Sequence, residues 1–330
     1  MRSNLRRSGI LGTGSSLPEK VMTNYDLEKI VDTSHDWIVS RTGIHSRRIA
    51  DENIATSDLS TEAAKQALER ANIKAEQLDL IIVATVTPDM LFPSTACLVQ
   101  SNLGAKNAAA FDLEAACSGF LYSVAIADQF IRTGVYNYVL VIGAETLSKI
   151  MNWKDRNTCI LFGDGAGAVV LGPTEEERGI MSTYLGADGN GGKFLSMPGG
   201  GSRNPASIQS IEQDLHYIHM EGNEVFKFAV RIMAEAAEKA LDLCGLGVDD
   251  INYLVPHQAN TRIITSAAKR LKLHMDKVYV NLDVYGNMSA ASVPVALDEA
   301  LMNGKIKKGD NVVLVAFGGG LTWGSCVIKW

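Results

Sequence analysis

Proline is scarce in this 330-residue chain, eight residues against thirty glycines, and no repetitive or single-residue tract interrupts it. Long extended linkers and low-complexity segments are therefore excluded, and tight strand-to-helix turns are favoured. Cysteine is sparser still. The five residues, Cys97, Cys117, Cys159, Cys244 and Cys326, are odd in number, widely spaced, and lack both a Cys-x-x-Cys pair and neighbouring histidines. That pattern excludes a disulfide framework and a zinc site, so no metal is expected, and the default role of each thiol is core packing.

Basic charge is lacking as well. At a net charge of −6 the chain offers no electrostatic footprint for DNA or RNA, and no nucleic-acid partner is expected. No run approaches the roughly 18 apolar residues of a membrane span. The basic start Met1-Arg-Ser-Asn-Leu-Arg-Arg7 leads into Ser8-Gly-Ile-Leu-Gly-Thr-Gly14 instead of the apolar core of a signal peptide. A cytoplasmic protein without membrane attachment is expected. What is present is a globular composition, 46% hydrophobic and 21% charged, sufficient for a large core and, by length, about two domains.

The chain also contains a repeat. The segment Ala63 to Val83 aligns without gaps on Ala236 to Pro256, a shift of 173 residues, and the same shift carries Val139–Ile142 onto Val312–Val315. The glycine-led run Gly165 to Leu171 matches Gly324 to Trp330 with a smaller shift, the first half carrying an insertion around Leu147 to Thr158. Helical patterns such as Leu59 to Arg70 alternate with apolar runs such as Leu80 to Val86, which signals sheets covered by helices. The expectation is a duplicated α/β architecture, residues 1–173 and 174–330, divided at the polar turn Pro173-Thr-Glu-Glu-Glu-Arg-Gly179. Gly12-Thr-Gly14 and Gly163-Asp-Gly-Ala-Gly167 complete no dinucleotide or Walker pattern and read as turn glycines.

Ala108 to Asp112 reads as a strand and Phe120 to Ile131 as a buried helix, with Cys117 at the join. A thiol there meets unpaired N–H groups and the positive end of the helix dipole, which favour thiolate. On the residues alone, core cysteine and nucleophile are equal readings. His257 follows the apolar strand that includes Tyr253, Leu254 and Val255, and Asn287 lies in a loop before a helix, where an exposed end is expected. By the 173 shift His257 corresponds to Ala84 and Cys117 to Ala290, so each polar residue occurs in one half only. If the halves pack face to face, Cys117 meets His257 and Asn287.

Eight segments in order, Trp37–Ile44, Phe92–Cys97, Ala115–Phe120, Phe162–Ala168, Gly222–Phe226, Val255–Asn260, Gly286–Pro294 and Phe317–Gly324, resemble the 3-oxoacyl-[acyl-carrier-protein] synthase III family of the thiolase superfamily. The resemblance spans nearly the whole chain. It implies a thiolase-like α/β fold, two duplicated βαβαβαββ halves packed as an α/β/α/β/α sandwich. It also implies the reaction: a short acyl-CoA, acetyl-CoA foremost, condenses with malonyl-carrier protein through an acyl-Cys117 intermediate to start fatty-acid synthesis. His257 and Asn287 would hold the malonyl thioester oxygen, and the Cys117 and Gly319 N–H groups the oxyanion of the condensation step. Trp37, Arg41 and Arg156 would hold the adenine end of coenzyme A, which is a substrate; no permanently bound cofactor is implied. Asn223, Ala259 and Asn260 would line the pantetheine tunnel, with Phe317 in the same substrate site. Phe92 would close the acyl pocket of a second copy in a homodimer. An acidic, phosphopantetheinylated carrier protein would dock on Lys227 and Arg231 and on Arg262 and Lys269, pairs that each share a helix face. The sequence departs from some members at Asn157 and Met288.

Overall fold

The computed structural model describes residues 6–175 and 177–330; Met1 to Leu5 of the basic start and Glu176 of the expected boundary turn lie outside the described residues. The run Leu80–Ala84 is apolar and buried at every position. Such a run has no solvent face, so it forms the centre of a sheet covered on both sides. It pairs in parallel with Val139–Thr146 on one side and Ala109–Leu113 on the other, Leu80 standing opposite both Val139 and Ala109. Asp164–Thr174 pairs antiparallel to Val139–Thr146, and Arg7–Ser16 pairs antiparallel to Asp164–Thr174 at the sheet edge, completing five strands. The second sheet has four strands in the order Tyr253–Pro256, Asn311–Gly318, Thr322–Lys329 and Gly179–Ala187, with only the first pair parallel.

Helices Gly119–Arg132 and Ser292–Met302 lie between the sheets, where Phe120, Val124, Val293 and Leu297 pack with Val141 of one sheet and Leu314 of the other. Helix Thr56–Ala71 covers the far face of the first sheet, and Gly222–Leu243 with Thr261–Arg270 that of the second. The result is the layered α/β/α/β/α sandwich of the thiolase-like fold. No helix of the described residues is long and apolar enough to cross a membrane.

The 173-residue shift extends to the backbone of the turns. The 3-10 turn Ala116–Ser118 before one central helix has its counterpart in Ser289–Ala291 before the other, and Ala116 and Ser289 both take left-handed φ angles, 46° and 45°. Three details differ from expectation. Sheet pairing equates Gly167, not Gly165, with Gly324, since Gly167 faces Gly143 and Gly324 faces Ala316; a two-residue slip keeps every side chain on its own face, so sequence cannot detect it. The third parallel strand is full only in the first half. In the second it shrinks to one bridge, Leu254 to Val278, because the chain turns away to set Asn287 against Phe162. Finally, Gly12 and Gly14 are strand residues, not turn residues. A Cβ on them would stand 2.4 Å from the Ala67 carbonyl oxygen and 2.3 Å from that of Ala63, so glycine is what lets helix Thr56–Ala71 approach.

Candidate active site

Cys117 sits in the 3-10 turn that starts the helix Gly119–Arg132, 6% exposed. Ala116 beside it is held in the left-handed region, where a non-glycine residue is strained, and its N–H donates to the Glu114 carboxylate at 3.1 Å. Behind the turn stands the end of strand Asn311–Gly318. A Cβ on Gly318 would lie 2.6 Å from the Cys117 nitrogen, so strand and turn touch backbone to backbone. Gly319, next along, faces Ala116. No backbone carbonyl accepts the Cys117 or Gly319 N–H among the described residues, and the Cys117 N–H turns toward its own sulfur.

His257 caps the neighbouring strand Tyr253–Pro256. Its N–H donates to the Val315 carbonyl at 2.8 Å and its ring meets the Phe317 ring edge-on, centroids 5.6 Å apart, two residues before Phe317's chain reaches Gly319. Asn287 is buried, not an exposed loop end. Its backbone bridges to Phe162, and its Oδ1 accepts the Ser289 N–H at 2.9 Å, locking the carboxamide to the second elbow. That elbow packs on the first one. Cys117 thus lies against Gly318 and the His257 ring against Phe317 at the end of Asn311–Gly318, while Asn287 is bonded to the turn Ser289–Ala291 that packs on the Cys117 turn.

The electrostatics reverse one expectation. The helix N-terminus favours thiolate, but removal from water dominates and pushes the Cys117 thiol up to about 12; the Ser289 hydroxyl opposes this, while the nearby Glu145 and Glu114 reinforce it. Burial alone drives His257 down to about 3. The resting pair is thus a neutral thiol beside a neutral imidazole. Among the described residues Nδ1 of His257 has no hydrogen-bond partner, so the orienting third group of a Cys-His base is missing. Because the thiolate fraction of a raised thiol keeps growing with pH, alkylation of Cys117 by iodoacetamide is expected to accelerate steadily with no plateau below about pH 10. A plateau near neutrality, read by mass spectrometry of the labelled peptide, would contradict this.

Farther out, the Arg41 and Arg156 guanidinium carbons lie 4.6 and 5.0 Å from the centre of the half-buried Trp37 ring. Asn260 is the N-cap of Thr261–Arg270; its Oδ1 accepts the Arg262 N–H and its Nδ2 donates to the Arg41 carbonyl, which ties this helix to the Trp37 helix. Ala259 is buried and Asn223 exposed. Phe92 stands 84% exposed, far from a core position. Met288 is fully buried beside Leu17 and Tyr285, and Asn157 folds back on Asp155.

The two basic pairs differ. Lys227 donates to Glu224 at 2.7 Å and Arg231 lies 3.5 Å from Glu235, so both are partly neutralised within their own helix. Arg262 and Lys269 are exposed and form no ion pair among the described residues. Two residues near the thiol escaped the sequence reading. Glu145 is fully buried, accepts from the Thr87 hydroxyl at 2.6 Å and the Val86 N–H at 3.1 Å, and is raised to about 7 by burial. Ser289 faces both it and Cys117. A lone carboxylate at the end of the apolar run Val139 to Ile142 was the available signal for Glu145; nothing in the sequence marked Ser289.

Comparison with known proteins accords with this geometry. Residues 111–189 match the family described as 3-Oxoacyl-[acyl-carrier-protein (ACP)] synthase III, and residues 241–330 match its C-terminal counterpart. A beta-ketoacyl-[acyl-carrier-protein] synthase III of Caldanaerobacter subterraneus is 68% identical over 323 residues, 98% of each chain. One from Desulfitobacterium hafniense is 62% identical over 322 residues, covering 98% of this chain and 97% of its own. The crystal structure of 3-oxoacyl-[acyl-carrier-protein] synthase III from Aquifex aeolicus superposes with a TM-score of 0.91 at 49% identity, over 98% of this chain and 100% of that one. The chain belongs to the beta-ketoacyl-[acyl-carrier-protein] synthase III family of acyl-transferring enzymes.

Proposed function

We propose that this enzyme transfers a short acyl group, acetyl foremost, from coenzyme A to Cys117 and condenses it with a malonyl group carried on an acyl carrier protein. The single observation that supports this reading is the packing of Cys117 on Gly318 and of the His257 ring on Phe317 at one strand tip. In the first half-reaction the Cys117 sulfur attacks the thioester carbonyl, and its proton leaves with the coenzyme A thiol. In the second, loss of CO2 from the malonyl group leaves an enolate whose carbon attacks acyl-Cys117; the sulfur departs and regains a proton. The enolate oxygen needs preorganised neutral donors, and the Asn287 carboxamide with the His257 Nε2–H supplies two. A histidine with no acceptor at Nδ1 and a pKa driven down to about 3 suits donation and not proton abstraction. The N–H groups of Cys117 and Gly319, bonded to no backbone carbonyl among the described residues, suit the oxyanion of the condensation.

The halves 1–173 and 174–330 then divide the work, nucleophile from one and enolate donors from the other. Trp37, Arg41 and Arg156 take the adenine end, where planar guanidiniums serve both stacking and phosphate contact, and Asn223, Ala259 and Asn260 line the path of the pantetheine arm, Phe317 the inner end. A homodimer is supported by the edge strand Ala109–Leu113, whose exposed Phe111 adjoins no further strand, and by the bare apolar tip Met90, Leu91 and Phe92; an unprotected edge and an apolar patch both call for cover. A soluble, cytoplasmic enzyme fits these partners.

The test is a panel of acyl-CoA primers assayed for 3-oxoacyl product with malonyl-carrier protein. Acetyl-CoA is expected to give the highest kcat/KM; product from none of the short primers would overturn the reading. For the carrier, the unpaired cations carry the expectation. Arg262→Glu and Lys269→Glu should each raise KM for malonyl-carrier protein about tenfold and leave acyl transfer from coenzyme A intact. Lys227→Glu and Arg231→Glu should do less, their charges being already met by Glu224 and Glu235. Equal damage to both half-reactions would assign these residues to the fold.

A further inference from the structure

We propose that Arg47 is a positioning residue for the coenzyme A end of the site, a buried guanidinium fork that sets the Trp37 clamp by tying together the two segments that build it; this rests on the reading of Trp37, Arg41 and Arg156 as the adenine site. Arg47 lies in the short strand Ser46–Arg48 and is wholly inaccessible. Its Nη1 donates to the Asn24 Oδ1 at 2.9 Å and to the Met22 carbonyl at 3.2 Å, and its Nη2 donates to the Ile160 carbonyl at 2.8 Å. Asn24 in turn donates to the Ile44 carbonyl at 2.7 Å, just past the helix His35–Thr42 that carries Trp37 and Arg41. Ile160 follows Arg156 in a segment closed on itself by the N–H groups of Thr158 and Cys159 bonding the Asp155 carbonyl. One side chain therefore reaches both arms of the clamp.

The energetics say that cohesion is not its purpose. Among the described residues no acid forms an ion pair with Arg47, and a buried guanidinium without one is costly. Burial lowers it to about 10, so it stays cationic at neutral pH. Apolar packing already joins the same segments, through Leu27, Ile38, Cys159, Ile160 and Phe162 with Trp37 at its edge. What a planar fork adds to such packing is direction: two carbonyls and a carboxamide fixed at set angles. The Arg41 and Arg156 guanidiniums lie within 5.0 Å of one ring centre, and that geometry is lost if helix and loop shift against each other. The Arg47 stem is walled by Gly163 and Gly286, on which a Cβ would stand 3.1 and 3.3 Å from the Arg47 Cβ. Lysine preserves that stem and its charge but has one nitrogen in place of the two that reach Asn24 and Ile160 separately.

The test compares acetyl-CoA with acetyl-pantetheine, the same donor cut off before its nucleotide, in Arg47→Lys, Trp37→Ala and the double variant. Asn24→Ala, which cuts one end of the tie, is measured alongside and carries the same expectation should Arg47→Lys not fold. Arg47→Lys should raise KM for acetyl-CoA about tenfold, the scale of one lost cation–π contact, and leave KM and kcat for acetyl-pantetheine within about twofold. In a Trp37→Ala background it should add nothing. An equal rise with both donors, or no rise where Trp37→Ala alone raises KM for acetyl-CoA, would overturn the positioning role and leave the adenine reading standing. Unchanged KM for acetyl-CoA in Trp37→Ala would instead bring down the adenine reading, and the proposal with it.

Discussion

Replacing His257 or Asn287 with alanine is expected to lower condensation by about 10²–10³-fold while Cys117 still accepts an acetyl group from coenzyme A. The expectation rests on what burial does to each group. A histidine held near 3, with no partner at Nδ1, has neither the basicity nor the orientation to take a proton from a thiol held near 12. In the proposed mechanism it serves as a donor, and the step that needs a donor is the decarboxylation. Cys117→Ala should fail in the opposite way, losing acyl transfer and condensation and keeping part of the decarboxylation. If His257 and Asn287 act on one oxygen as proposed, the double variant should fall less than the two single losses combined. Abolition of acetylation in a folded His257→Ala protein would instead mean that the histidine activates the thiol.

Gly318→Ala is expected to cost about 10² in kcat/KM, the usual consequence of displacing a reacting group by about an ångström. The added methyl would stand 2.6 Å from the Cys117 nitrogen and 3.0 Å from its Cβ, so the elbow itself must move. Gly201→Ala is the control. Its methyl meets nothing within 4 Å and should be tolerated within about tenfold. Steady-state kinetics on both variants, with thermal melts to confirm folding, would contradict the account if Gly318→Ala kept full activity or the two glycines proved equally sensitive.

The parts of this molecule that sequence revealed are those set by patterns a chain carries locally. The apolar run at Leu80, the buried helix after Cys117 and the 173-residue repeat each depend on spacing, and spacing survives in one dimension. The correspondence of the turn Ala116–Ser118 with Ser289–Ala291 was legible because the repeat shift carries one onto the other. What escaped depends on burial and close approach. The thiolate expectation failed because a helix terminus can be seen in sequence and the exclusion of water from it cannot. Gly12 and Gly14 were mistaken for turn residues since nothing near them shows that a helix 50 residues on will press against their backbone. Lys227 and Arg231 were read as a basic pair on one helix face, and the acids that meet them, Glu224 and Glu235 at helical spacing, become partners only when helix and rotamers are in place. Glu145 was visible as a charge in an apolar strand, yet its opposition to Cys117 exists only once that strand and the Cys117 turn are packed together.

Peptide-resolved mass spectrometry after incubation with acetyl-CoA alone tests the central claim most directly. The expected result is a single acetyl group on Cys117 in the unaltered enzyme and in His257→Ala and Asn287→Ala, removed on adding malonyl-carrier protein only in the unaltered enzyme. Acetyl on Cys97, Cys159, Cys244 or Cys326, or no covalent acetyl at all in an enzyme that still condenses, would contradict it.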